Sequence, residues 1–270
     1  MTTEATAPAA RYETRDGVGV ITLNRPEALN AVNSALSSAV GEALEQAAAD
    51  PAVRVVVVTG TGRAFCAGAD LKELAQRRPV DAPGHPEWGF AGIVRHWIDK
   101  PVIAAVNGFA MGGGTEIVLA CDLVVAAETA TFGLPEVRRG LIAAGGGVVR
   151  LQRQLPLRRA LELALTGEPV TAATACEWGL VNRVVPDGEL LAAALDLAGR
   201  VAANAPLSIQ HSKRMMYRAA AGGSDWDATW SGEDPWDANE EATRTVFTSA
   251  DALEGPRAFA EKRAPRWSGR

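Results

Sequence analysis

The sequence predicts an α/β fold, with a sheet covered on both faces followed by an all-helical C-terminal part, on three observations. Short β-branched apolar runs alternate with stretches of helical periodicity, those runs are apolar at consecutive positions rather than at every second one, and from about residue 187 only helical text remains. Positions 18–23 (VGVITL) and 53–59 (VRVVVVT) read as strands, and 33–48 between them sets Val40, Leu44 and Ala47 at helical spacing. A helix is expected over 87–98, a strand over 102–106 (VIAAV), a helix over 113–121, and strands over 122–127 (DLVVAA) and 181–185, with Gly and Pro marking the changes. The remainder reads as helices over 187–203, 206–220, 235–248 and 251–263. The opening residues, MTTEATAPAARYETRDG, include Glu4 and no apolar block, so a short frayed tail is expected there rather than a signal peptide.

Composition narrows the function classes. The 270 residues are 47% apolar and 22% charged, and 27 Lys+Arg against 32 Asp+Glu give a net charge of −5. A chain of this size buries roughly 70–75% of its unfolded surface, enough for a core without staples. The longest charge-free stretch, 101–115, has 15 residues, against the roughly 18–20 of a membrane-spanning helix. Cys66, Cys121 and Cys176 stand far apart in odd number, which argues against a disulfide framework or a zinc site and for a reducing compartment, the cytoplasm. Without a Lys/Arg block, neither nucleic acid nor a membrane surface is the expected partner.

Two segments share the layout strand, glycines, helix: 55–74 (VVVVTGTGRAFCAGADLKEL) and 102–121 (VIAAVNGFAMGGGTEIVLAC). Glycines at such a junction let the backbone approach a ligand, and the first N–H groups of the helix point outward as an anion site. Phosphate-loop and dinucleotide spellings are absent, since Phe65 stands where the dinucleotide fingerprint needs Gly. Gly112, Gly113 and Gly114 also fit tight helix-on-sheet packing.

Glu116 is the only charge between Lys100 and Asp122 and falls in the first turn of the second helix, where the helix dipole alone would favour an acid. Glu136 closes FGLPE, 20 residues on, and alone would read as a solvated loop acid. Brought to one cleft, two such carboxylates would have their pKa values pushed apart and would divide acid and base roles. His85, His96 and His211 lack metal spacing and no Ser sits in G-x-S-x-G. His96 and His211 read as packed or exposed side chains, and no metal is expected.

Four motifs in order, FCAGADL (65–71), AAVNGFAMGGGTEIVLACDLVVAAE (104–128), FGLPE (132–136) and AFAEKR (258–263), together resemble the enoyl-CoA hydratase/isomerase family, the crotonases, from about Val18 to the end. The resemblance implies a spiral core of ββα units over 1–200, holding the CoA and catalytic site, and a helical C-terminal trimerisation region over 201–270. It also implies a homo-oligomer, a trimer or a hexamer of two trimers. It implies an oxyanion hole from the N–H groups of Ala69 and Gly113, catalytic roles for Glu116 and Glu136, and a water-positioning N–H at Ala144. CoA is expected near Ala28, Ala67, Asp70, Leu71 and Lys72, with Phe259 and Lys262 closing over the nucleotide. No cofactor is implied, because CoA is part of the substrate.

The implied reaction is addition of water across the 2,3 double bond of an enoyl-CoA. An isomerase or a dehydratase of a specialised acyl-CoA on the same site, and a non-catalytic CoA-binding or assembly paralogue, are the alternatives. Two departures stand out: Ala143-Ala144 where many hydratases read Pro-Gly, and Glu27 at a position often basic. The stretch 77–90, with Trp88 and Phe90, is expected to be a mobile wall of the acyl pocket, and Trp226, Trp230 and Trp236 to bury against neighbouring helices or subunits.

Overall fold

The computed structural model describes residues 7–139, 141–221, 241, 244, 245 and 248–270. The chain opens with a hairpin, β1 (Ala10–Arg15) paired antiparallel with β2 (Val18–Leu23). Its turn is Asp16-Gly17, both at positive φ (47° and 80°), which is the turn chemistry a two-residue hairpin requires. The expected frayed tail is therefore corrected from Ala10 onward: Asp-Gly between two extended stretches is a hairpin signal.

After α1 (Ser34–Ala49) the chain builds two sheets in alternation. β3 (Val55–Gly60), β5 (Val102–Val106) and β7 (Leu123–Ala127) extend the first sheet, while β4 (Ala64–Cys66), β6 (Phe109–Met111) and β8 (Thr131–Gly133) form the second. With β9 (Val170–Thr171) and β10 (Arg183–Val185), the orders are β1-β2-β3-β5-β7-β10 and β4-β6-β8-β9. Every pairing within β2 to β8 and to β10 is parallel, and β9 is antiparallel to β8. Each turn of the spiral thus gives one strand to each sheet. The short strands of the second sheet were not predicted, because three-residue strands carry too little periodicity to be read.

The first sheet is buried on both faces by side chains that alternate. Val55, Val57, Ile103, Ala105 and Val125 face α7 (Leu190–Ala202), while Val56, Val58, Ala104, Val106 and Val124 face the main core. That explains the unbroken apolar runs. Burying each such Val contributes about 1.5–3 kcal/mol. The outer helices are α2 (Leu71–Ala75), α3 (Gly113–Ala120), α4 (Gly147–Gln154), α5 (Leu157–Thr166) and α6 (Ala172–Trp178), followed after α7 by α8 (Pro206–Ala221) and α9 (Ala250–Ala260). α7 runs through the expected boundary at residue 200.

α8 is fastened to the core by Lys213, whose ammonium meets Asp122 at 2.8 Å and donates to the carbonyls of Ile98 and Lys100. The helix expected over 235–248 lies almost wholly outside the described residues, and Trp226, Trp230 and Trp236 lie outside them. Among the described residues no single helix is long and apolar enough to cross a membrane.

One predicted element is overturned. Residues 87–98 form two short 3-10 turns and irregular chain instead of a helix. Gly89, Ala91 and Gly92 all have positive φ (66°, 59° and 68°), and the backbone at Gly92 crosses α1 so closely that a Cβ there would stand 2.0 Å from Ser37 O. Trp88 lies flat over Gly41 of α1, stacked between His85 and His96 with ring centroids at 3.7 and 5.0 Å. Tertiary packing against α1 decides the backbone here, and His96 is packed, outside any helix. Substituting Gly92→Ala combines a left-handed backbone with a clash against main chain, so chemical denaturation should show a loss of at least about 1–3 kcal/mol.

Candidate active site

The site grows from one crossing of two backbones. After β4, Gly68 adopts φ 91°, and a Cβ on it would stand 2.9 Å from Met111 O and 3.1 Å from Gly113 N, so only glycine lets the segment reach the start of α3. On its other side the segment pairs with Val32: Val32 N donates to Gly68 O and Asp70 N to Val32 O, both at 2.8 Å. Along an extended chain N–H groups alternate in direction, so that of Ala69 faces away from Val32. Gly113 opens α3, where an N–H has no intrahelical acceptor. Among the described residues neither N–H has a protein acceptor.

Thr115 anchors the first turn of α3. Its buried hydroxyl lies 2.7 Å from Ala110 O and 2.9 Å from Gly133 O and accepts from Gly133 N at 3.1 Å. Gly112 N also donates to Gly133 O, at 2.8 Å. These bonds lock α3 to the end of β8, from which Leu134 and Pro135 lead to Glu136. The two glutamates are thereby brought to one cleft of about 480 Å³. Glycine makes room for both: a Cβ on Gly112 would stand 2.8 Å from Glu136 Oε1, and one on Gly145 would stand 2.6 Å from Glu116 Oε2.

The two carboxyls sit in unequal surroundings. Glu116 is 4% exposed and its Oε1 accepts from Gly147 N at 2.8 Å. Burial holds its pKa above the ordinary glutamate value; the nearby Glu136 adds to the rise, and the Gly147 and Gly145 N–H groups oppose it. Glu136 is also raised by burial, against its own main-chain N–H and the pull of Arg139, and its buried Oε2 has no hydrogen-bond partner. Two N–H groups favour the charged form of Glu116; Glu136 has one, its own, and keeps an oxygen bare, which favours its protonated form. Two carboxyls in unequal surroundings therefore face the same space, beside two main-chain donors of the kind that suits a developing oxyanion.

The expected residues fall as follows. Ala67, Ala69, Leu71, Gly113, Glu116, Glu136 and Ala144 line the cleft. Ala144 N donates to Ile142 O at 2.8 Å, while the N–H groups reaching Glu116 belong to Gly145 and Gly147. Ala28 ends a short turn tied to Ala67 through the bond from Ala67 N to Leu29 O, 3.0 Å. Asp70 is buried, caps α2 by accepting from Lys72 N, and pairs with Arg25 at 3.0 Å. Lys72 is exposed on α2. Lys262 is exposed beyond the end of α9, at φ 53°, instead of within that helix, and does not line the cleft. The side chain of Phe259 lies outside the described part of the chain.

Of the expected wall, Val80 and Phe90 line the cleft, and Trp88 is buried against α1 instead. Leu74, Leu141, Ile142 and Arg139 complete the lining and were not singled out from the sequence. Two arginines directly after Glu136 were the available signal for the last. Thr115 and Asn30 were also missed. Asn30 is fully buried at φ 55°, and its amide bonds Arg25 N, Thr61 O and Ala64 O, fixing the loop that carries Ala28.

Comparison with known proteins agrees with this geometry. The family model for enoyl-CoA hydratase/isomerase matches residues 13–270. The carnitinyl-CoA dehydratase of Salmonella typhi is 44% identical over 268 residues, covering 95% of this chain and 97% of the relative. Among solved structures, a carnitinyl-CoA dehydratase from Mycobacterium avium 104 is 57% identical with a TM-score of 0.78, and the enoyl-CoA hydratase from Mycobacterium tuberculosis H37Rv is 42% identical with a TM-score of 0.89. Each aligns over 98% of this chain and 100% of its own. A likeness of that extent, over a fold whose glycine-only crossing holds two free N–H groups beside buried Glu116 and half-buried Glu136, makes the chain a member of the enoyl-CoA hydratase/isomerase family.

Proposed function

We propose that this chain is a hydro-lyase that adds water reversibly across the 2,3 double bond of an enoyl-CoA. The observation that carries the reading is the unequal pair: Glu116 with two main-chain donors around it, and Glu136 with a bare buried oxygen. Ionised Glu116 takes a proton from water as the water oxygen bonds to C3. The C2–C3 π electrons shift toward the thioester, whose oxygen gathers negative charge held by the N–H groups of Ala69 and Gly113, and protonated Glu136 then delivers its proton to C2. Dehydration is the same path reversed, which accommodates relatives named as dehydratases.

Substrate CoA extends toward Ala28, Ala67, Asp70, Leu71 and Lys72, with Phe259 and Lys262 closing over the nucleotide, and no separate cofactor is needed. The Ala144 amide positions water in this reading once it is released from Ile142. Buried free thiols at Cys66 and Cys121 support a reducing, cytoplasmic setting.

Glu116→Gln and Glu136→Gln should each lower hydration of crotonyl-CoA, followed by loss of the enoyl absorbance, by at least about two decades with little change in CoA affinity. If Glu116→Gln hydrates at the wild-type rate, the mechanism is wrong; if it loses hydration and keeps double-bond migration, the isomerase reading replaces it.

The same carboxyls make a stability prediction. Both have folded pKa values raised above 4.5, so the folded chain holds their protons longer than the unfolded chain does. Their contribution to stability is full below the ordinary glutamate value and is lost as pH rises through the raised values. Either Gln variant should therefore melt higher than wild type at pH 7, an advantage that disappears near pH 4.

A homo-oligomer, trimer or hexamer, is supported by the row of exposed apolar side chains Val148, Val149, Leu157, Leu161 and Leu165 on α4 and α5. Light scattering at micromolar concentration should give a multiple of the chain mass, and a stable monomer would refute the assembly.

A further inference from the structure

Arg138 and Arg139 follow Glu136 directly but are used differently. Arg138 is committed to structure: its guanidinium pairs with Glu168 at 3.2 Å and donates to Thr166 O at 2.9 Å. Arg139 lines the cleft with Leu74, Val80, Phe90, Leu141 and Ile142, and among the described residues no ion pair or hydrogen bond engages it. A guanidinium stays charged at any pH the protein meets and offers a planar fork of donors that fits a carboxylate. The apolar neighbours suit an acyl chain, and the cleft holds no carboxylate besides the two assigned to catalysis.

We propose, resting on the enoyl-CoA reading above, that Arg139 is a specificity-determining residue. It selects enoyl-CoAs whose acyl chain ends in a carboxylate and rejects those ending in a fixed cation. The segment bearing it follows the catalytic Glu136, whereas the residues expected near the nucleotide, Ala28, Ala67, Asp70, Leu71 and Lys72, come from the loop after β2 and from the segment running from β4 into α2. The charge therefore belongs to the acyl side of the site. A positive group at the chain end would meet the Arg139 charge, while an uncharged end would meet only the apolar wall.

The test uses three enoyl-CoAs of equal chain length ending in a methyl, a carboxylate or a trimethylammonium group, with the wild-type protein, Arg139→Gln and Arg139→Lys. Wild type should rank kcat/KM as carboxylate over methyl over ammonium, each step about five- to tenfold, as a partly exposed charge pair allows. Arg139→Gln should collapse the ranking, and Arg139→Lys should keep its order with smaller steps. Raising the salt concentration should narrow the steps in wild type and Arg139→Lys, and leave Arg139→Gln unchanged. A ranking with ammonium first, or one unchanged in Arg139→Gln, overturns the proposal. An equal loss for all three substrates in Arg139→Gln also overturns it, whether the charge then acts on the CoA phosphates or on Glu136. Calorimetric binding of the three saturated acyl-CoAs reads the same ranking without chemistry. Failure of hydration with an intact binding order would thus count against the hydratase reading alone.

Discussion

The close crossing of the Gly68 segment over the first turn of α3 is the constraint on which the site depends. A side chain on Gly68 would run into Met111 O and Gly113 N, and with it would go the arrangement that leaves two main-chain N–H groups free at one cleft. Donors of this kind are fixed by the fold, so they need no reorganisation when charge develops on a substrate. The crossing is held from outside as well. Val32 grips the Gly68 segment, Thr115 pins α3 to β8, and buried Asn30 braces the loop beneath them.

A second constraint is the cost of the two carboxyls. Buried acids oppose folding once ionised, and the chain tolerates them because the surrounding core is large and Glu116 keeps main-chain donors. The glycines at 112 and 145 also read differently in this light. They make space for carboxylate oxygens, so the glycine-rich text is needed both for the backbone path and for the acids.

Much of this was legible in the sequence, for identifiable reasons. The long strands were readable because both of their faces are buried, which writes an unbroken apolar run, and α1 because its apolar positions keep helical spacing. Glu116 stood out as a lone charge in an apolar stretch, and the glycine segments through their repeated layout. The second sheet was not legible, since strands of two or three residues leave no period to detect. The 87–98 stretch misled because its residues tolerate a helix and only contact with α1, through Gly41 and Gly92, forbids one. Thr115 and Asn30 act through bonds to distant carbonyls, and nothing local in the text announces such partners. Arg139 differs from Arg138 only by what surrounds it in space.

The alternation of strands between two sheets also bears on how the chain reaches this state. In the larger sheet only β1 and β2 are joined by a tight turn, pairing Arg15 with Val18; the next ladders join Val18 to Val55, Val56 to Val102, and Val125 to Arg183. Such pairings must close long loops before any ladder bond forms, a topology associated with slow folding. The sheet cannot be laid down hairpin by hairpin. Until successive turns of the spiral have stacked, the apolar faces of the valine strands have nothing to cover them, and a newly made chain is exposed to association with others during that interval.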